Sequence, residues 1–134
     1  MADCIFCGIL DGSIPSRKIY EDEETLAFLD VFPAASGHTL VIPKKHSADI
    51  HSIDARSYGT VASTAKKVAD ILTAKLDCDG VSIFQMNRES GGQTVFHLHI
   101  HVVPRFKGDD LQKPWKVQVT TQESLETTHR RILS

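Results

Sequence analysis

Apolar residues recur at Val61, Ala65, Val68, Leu72 and Leu76. Spacings of three and four mark one face of a helix, here running from Asp54 to Leu76. Asp54 is a suitable cap for its start, and Asp79-Gly80 supplies a turn after its end. The remaining apolar runs are short and lean to β-branched or aromatic residues, which predicts strands. Arg17–Tyr20 and Thr25–Leu29 flank an acidic turn over Glu21–Glu24, and His38–Ile42 is stopped by Pro43. Val81–Met86 precedes a Gly91-Gly92 turn, and Thr94–Val103 alternates strictly. Near the end, Thr120-Thr121-Gln122-Glu123 reads as a capping box for a last helix reaching about Leu133. Strands joined by short turns around one long helix predict an α+β domain, an antiparallel sheet with helices on one face.

Length and composition narrow the function classes. At 134 residues the chain is expected to form a single domain, residues 1–134. Its 41% hydrophobic and 24% charged content is ordinary for a globular protein and excludes a disordered or fibrous one. Fifteen basic residues against 17 acidic leave no basic surplus, so no nucleic-acid partner is expected. No apolar run approaches the roughly 20 residues a membrane span needs. Met1-Ala2-Asp3-Cys4 has neither a basic leader nor an apolar stretch, so a cytoplasmic location is expected. Seven histidines are more than packing requires, and they change the picture.

Three of them sit in Phe96-His97-Leu98-His99-Ile100-His101-Val102. On a strand this alternation puts Phe96, Leu98, Ile100 and Val102 on one face and the histidines on the other. The apolar face packs on the helix, whereas three adjacent imidazoles have no packing use. Two chemistries compete for them. His-x-His on a strand can ligate a metal, but strand rise puts the outer pair about 13 Å apart, too far for one ion. Alternatively one imidazole attacks as a nucleophile while its neighbours orient it and stabilise charge. The bland alternative is a solvated histidine-rich strand. Gly91-Gly92 permits close backbone approach, and Gln93 and Thr94 add donors suited to phosphate oxygens. No Walker motif or dinucleotide glycine fingerprint is present.

His97-Leu98-His99-Ile100-His101-Val102-Val103 resembles the histidine triad signature, His-φ-His-φ-His-φ-φ with φ apolar. Further blocks fall in the family's order: Cys4-Ile5-Phe6-Cys7, Tyr20-Glu21-Asp22-Glu23, Leu26–Asp30, Gly37–His46 and Gly92–His97. The likeness covers roughly residues 4 to 106 and is closest to the Hint branch in its cysteine-bearing bacterial form; residues 107–134 form a divergent tail.

That resemblance implies a five-stranded antiparallel sheet and a homodimer that hydrolyses purine nucleotides at the α-phosphate. His99 corresponds to the nucleophile, His101 to the phosphate-contacting and proton-handling histidine, His97 to a supporting one, and His38 to a fourth nearby. Asp30 maps to the ribose-binding aspartate. Phe6, Ile14, Phe28, Leu29 and Val31 map to the base pocket. Asn87, Gly92, Gln93 and Thr94 map to phosphate contacts, although Arg88-Glu89-Ser90-Gly91-Gly92 departs from the usual loop. The implied activity is nucleoside phosphoramidate hydrolysis through a nucleotidyl-histidine, with no metal required for catalysis. A dinucleoside polyphosphate hydrolase, with Lys44 and Lys45 as candidate polyphosphate contacts, and a nucleotide-sensing interaction module remain alternatives. Trp115 is expected near the site of the partner chain.

Cys4-x-x-Cys7 is half a zinc site by spacing, and metal binding competes there with redox work or a pair of buried thiols. The resemblance completes a structural zinc site with His46 and His97, which makes His97 both ligand and triad member. Cys78 is expected to be a packing residue, and His51 and His129 solvated ones.

Overall fold

The computed structural model describes residues 3–111 and 116–134, so Trp115 lies outside the described residues. In chain order the elements are α1 (Ile5–Leu10), β1 (Lys18–Glu21), β2 (Thr25–Leu29), β3 (Thr39–Pro43), α2 (Ala55–Leu76), β4 (Gly80–Gln85), β5 (Ile100–Arg105) and α3 (Gln122–Leu133). The strands form one antiparallel sheet in the order β1-β2-β3-β5-β4. It is the five-stranded α+β arrangement expected.

The helices lie on both faces rather than on the one face expected, α2 on one and the short α1 on the other, which explains why β2 and β3 are buried almost throughout. Because side chains alternate, Ala27, Val41, Ile100 and Val102 face α2 and pack with its Val61, Ala65, Val68 and Leu72. Leu26, Phe28, Leu40 and Ile42 point the other way and pack with Phe6 and Ile9 of α1. One polar pair crosses the α2 layer, Thr25 Oγ1 to Thr64 Oγ1 at 2.8 Å.

α2 starts as read: the Asp54 carboxylate accepts from the Ser57 N–H, and Asp77 closes the helix in the left-handed region. α3 also forms, but Thr121 is its cap rather than Thr120, and it buries none of its residues. α1 is absent from the sequence reading. Its six residues are too few to show a repeating period, and the Cys4 thiol caps it by accepting from Cys7 N–H at 3.3 Å.

The histidine strand begins later than expected. Ladder pairing starts at Ile100 rather than Thr94, because Gln93 and Leu98 tie the segment before it to the loop before α2. Leu98 N–H donates to Ser47 O at 2.7 Å, and the Gln93 carboxamide donates to Ala48 O and Val95 O. Leu98, Ile100 and Val102 still reach the core; Phe96 does not and is 54% exposed.

Candidate active site and metal centre

The triad histidines stand where β5 emerges, on the sheet face that α1 partly covers. Burial leaves His97 fully enclosed and His99 only 6% exposed. Such burial penalises the charged imidazolium. It pushes His97 and His101 down to about 4, with the charges of neighbouring histidines adding to the effect. It also lowers His99 and His38. At neutral pH all four rings are therefore neutral, each with one N–H and one lone pair.

The hydrogen-bond network assigns which nitrogen carries which. His99 Nδ1 lies 2.8 Å from the His97 carbonyl, which only accepts, so Nδ1 holds the proton and Nε2 is left with its lone pair. His38 Nδ1 accepts from Ala34 N–H at 2.9 Å, so its Nε2 carries hydrogen and donates to His101 Nδ1 at 2.9 Å. His101 must then carry its own proton on Nε2. Asp30 Oδ2, 3.5 Å from His38 Nε2, closes the chain, and Phe84 stacks on the His101 ring at 4.4 Å. The His99 and His101 rings are 4.9 Å apart. A bare imidazole nitrogen thus stands beside an imidazole N–H.

These rings open into a cavity of about 540 Å³. It brings together His38, His99, His101 and Asp30 with Phe6, Ile14, Phe28, Leu29, Val31 and Thr94. Arg17, Phe32 and Val95 also line it and were not singled out from sequence; Arg17 read simply as the first residue of a strand. Three candidates stand apart. Gln93 spends its carboxamide on the backbone, accepting from Arg88 N–H at 2.6 Å and donating to two carbonyls, so no side-chain donor is left for phosphate. Asn87 Oδ1 accepts from Ile50 N–H at 2.7 Å, and its amide donates to Gln85. Gly92, at φ +95°, does not line the cavity; a Cβ there would meet the Met86 sulfur at 2.8 Å. Lys44 pairs with Glu21 at 2.9 Å and lines a different cavity.

On the other side of His97, four donor atoms converge. Cys4, Cys7, His46 and His97 each offer one atom, all within 4.8 Å of one another. His97 Nδ1 lies 3.4 Å from Cys4 Sγ, 3.6 Å from Cys7 Sγ and 3.1 Å from His46 Nδ1. Tetrahedral zinc bonds of about 2.0 Å to nitrogen and 2.3 Å to sulfur separate the donors by about 3.3–3.8 Å, so the cradle is nearly of zinc size. His97 Nε2 donates to Pro43 O at 2.9 Å, which turns the Nδ1 lone pair toward the cluster. Such a carbonyl partner is what a metal-bound imidazole usually has. Asp30, His38 and His101 also lie close enough for a metal, but Ala34 N–H already occupies His38 Nδ1, and the proton chain accounts for the rest.

A family model described as the HIT domain matches residues 11–108. The chain belongs to the HIT domain family. A solved structure of a protein from Streptococcus mutans is 40% identical, covers 99% of this chain and 85% of its own, and superposes with a TM-score of 0.92. A Zn-bound histidine triad family protein from Mycobacterium smegmatis is 36% identical, covers 98% of this chain and 96% of its own, and has a TM-score of 0.81. A Candida albicans relative named adenosine 5'-monophosphoramidase is 34% identical over 98% of this chain and 90% of its own length. Among the described residues of this HIT protein, no helix is long and apolar enough to cross a membrane.

Proposed function

We propose that this HIT protein is a nucleoside phosphoramidate hydrolase that cleaves the α-phosphate–nitrogen bond of purine nucleotides through a nucleotidyl-His99 intermediate. The observation that carries the reading is the His99 tautomer: its Nδ1–H is held by His97 O, so its Nε2 lone pair is free at neutral pH. The name of the Candida albicans relative supports the same substrate class.

The base packs among Phe6, Phe28 and Leu29, and Asp30 accepts from the ribose hydroxyls. His99 Nε2 attacks the α-phosphorus and the P–N bond breaks. The bound phosphate anion raises the proton affinity of the His38–His101 pair, which takes up one proton from solvent, and the departing amine then takes a proton from His101 Nε2, leaving that ring neutral. Water then attacks phosphorus and returns a proton to His101. The His99–phosphorus bond breaks, nucleoside monophosphate leaves, and His99 regains its lone pair. Splitting one displacement into two uses imidazole both as nucleophile and as leaving group.

Zinc, held by Cys4, Cys7, His46 and His97, supplies a structural cross-link between α1, the loop before α2 and the histidine segment. The same reading includes a cytoplasmic homodimer. None of Cys4, Cys7 and Cys78 is in a disulfide, as suits a reducing compartment. β4 is an edge strand with Ile83 half exposed, a surface on which a second copy can pair.

The test is AMP release from adenosine 5'-phosphoramidate, with diadenosine tetraphosphate alongside. Faster cleavage of the phosphoramidate supports the reading. Faster cleavage of the dinucleotide moves the activity to polyphosphates, and binding of AMP with no cleavage of either makes the protein a nucleotide-sensing module.

A further inference from the structure

α1 lies between the two sites. Cys4 and Cys7 bracket its first turn, and Phe6 stands between them in sequence, 6% exposed. The Phe6 ring meets His97 edge-on at 5.9 Å and His99 at 5.1 Å, with an interplanar angle of 89° to His99. The same ring touches Phe28 at 5.4 Å and lines the nucleotide cavity. A second connection runs through the backbone. His97 turns Nδ1 to the metal cluster while its carbonyl accepts from His99 Nδ1 at 2.8 Å.

A six-residue helix has no stability of its own in water, so the position of α1 depends on what holds its ends. The thiol–imidazole contacts of 3.4 Å are weak hydrogen bonds, whereas thiolate–zinc bonds fix both sulfurs. Zinc therefore decides how firmly Phe6 is pressed against His99 and against a bound base.

We propose that Phe6 is a positioning residue coupling the Cys4, Cys7, His46, His97 metal centre to His99, so that zinc and a purine nucleotide each tighten the other's binding. The proposal rests on the nucleotide-binding reading above. Coupling between two binding sites is reciprocal by thermodynamic necessity.

The experiment measures zinc affinity of the full chain by chelator competition, without AMP and with saturating AMP. AMP should tighten zinc by about fivefold or more, and zinc should tighten AMP by the same factor. Phe6→Leu keeps all four ligands and should bring that factor to within about twofold of unity. A second readout needs no nucleotide: the His99 imidazole nitrogen resonances should differ between zinc-loaded and chelated wild type, and differ clearly less in Phe6→Leu, which keeps only the backbone route through the His97 carbonyl. If the chelated protein unfolds, the rate of zinc loss from the folded, loaded protein is compared with and without AMP.

Zinc affinity, or that rate, unchanged by AMP in protein that binds AMP overturns the proposal. Full coupling retained in Phe6→Leu overturns the role of Phe6. Failure of the wild type to bind AMP at all is a failure of the nucleotide reading instead, and the His99 resonances then decide whether Phe6 transmits zinc occupancy.

Discussion

His38 Nε2 lies 2.9 Å from His101 Nδ1, and that single contact, with Ala34 N–H on the far side of His38, sets the proton positions of both rings. His101 therefore presents N–H to the cavity beside the unprotonated Nε2 of His99. Two adjacent imidazoles take opposite roles because their second nitrogens have different partners.

Removing the proposed nucleophile separates binding from chemistry. His99→Ala keeps the other cavity-lining side chains and should retain AMP binding within about threefold while turnover falls by about a thousandfold or more. Single-turnover AMP release and equilibrium AMP binding check the two halves. Normal turnover in a folded variant removes His99 from its role.

His38→Phe fills a similar space but leaves Ala34 N–H without its acceptor and frees His101 to change tautomer. A lost partner for a buried donor costs about 1–3 kcal/mol, read by urea denaturation. The rate of the chemical step should drop by about ten- to a hundredfold, with KM nearly unchanged, because His38 acts on His101 rather than on substrate. A rise in KM alone would contradict the proton-chain assignment.

The buried histidines make stability depend on pH with a definite sign. Burial lowers His101 to about 4 and also lowers His38, so below the ordinary histidine value the unfolded chain binds more protons than the folded one. Stability is fully present above about pH 6.5 and is lost progressively as pH falls toward about 4. Denaturation midpoints measured from pH 7.5 down to 4.5 should fall, and the fall should be shallower in His38→Phe.

Metal analysis of the purified protein should find about one zinc per chain, as its four donors imply. Chelation, or Cys7→Ser, should lower the thermal midpoint by about 10 °C or more, since tight binding to the folded state alone adds several kcal/mol. Protein without stoichiometric zinc and with an unchanged midpoint after chelation would rule out the metal centre.

Gly37 holds the loop that delivers His38. It sits at φ +94°, and a Cβ there would run into Leu76 Cδ1 and approach Pro104 Cγ to 3.1 Å. Gly37→Ala should destabilise by about 2 kcal/mol or more, combining backbone strain with overlap against a helix end. Urea unfolding reads the loss.

Whatever follows from short-range period is legible in the chain alone. Val61, Val68 and Leu72 recur at helical spacing and form the core face of α2; Leu98, Ile100 and Val102 alternate and pack against it. The histidine signature and its flanking blocks carried the family, because those residues are contiguous in the chain. Tertiary structure decided the rest, where the partner is distant or the local signal is short. α1 has too few residues to show a period, and Phe96 is exposed in a segment that Gln93 and Leu98 tie to the 47–48 backbone instead of a neighbouring strand. Residue type at Gln93 and the family resemblance at Asn87 pointed both side chains to phosphate, but their amide groups are bonded within the chain. Cys4 and His97 are 93 positions apart, yet their donor atoms lie 3.4 Å apart. Which imidazole nitrogen keeps its lone pair depends on carbonyls and amides that only folding brings within hydrogen-bond distance.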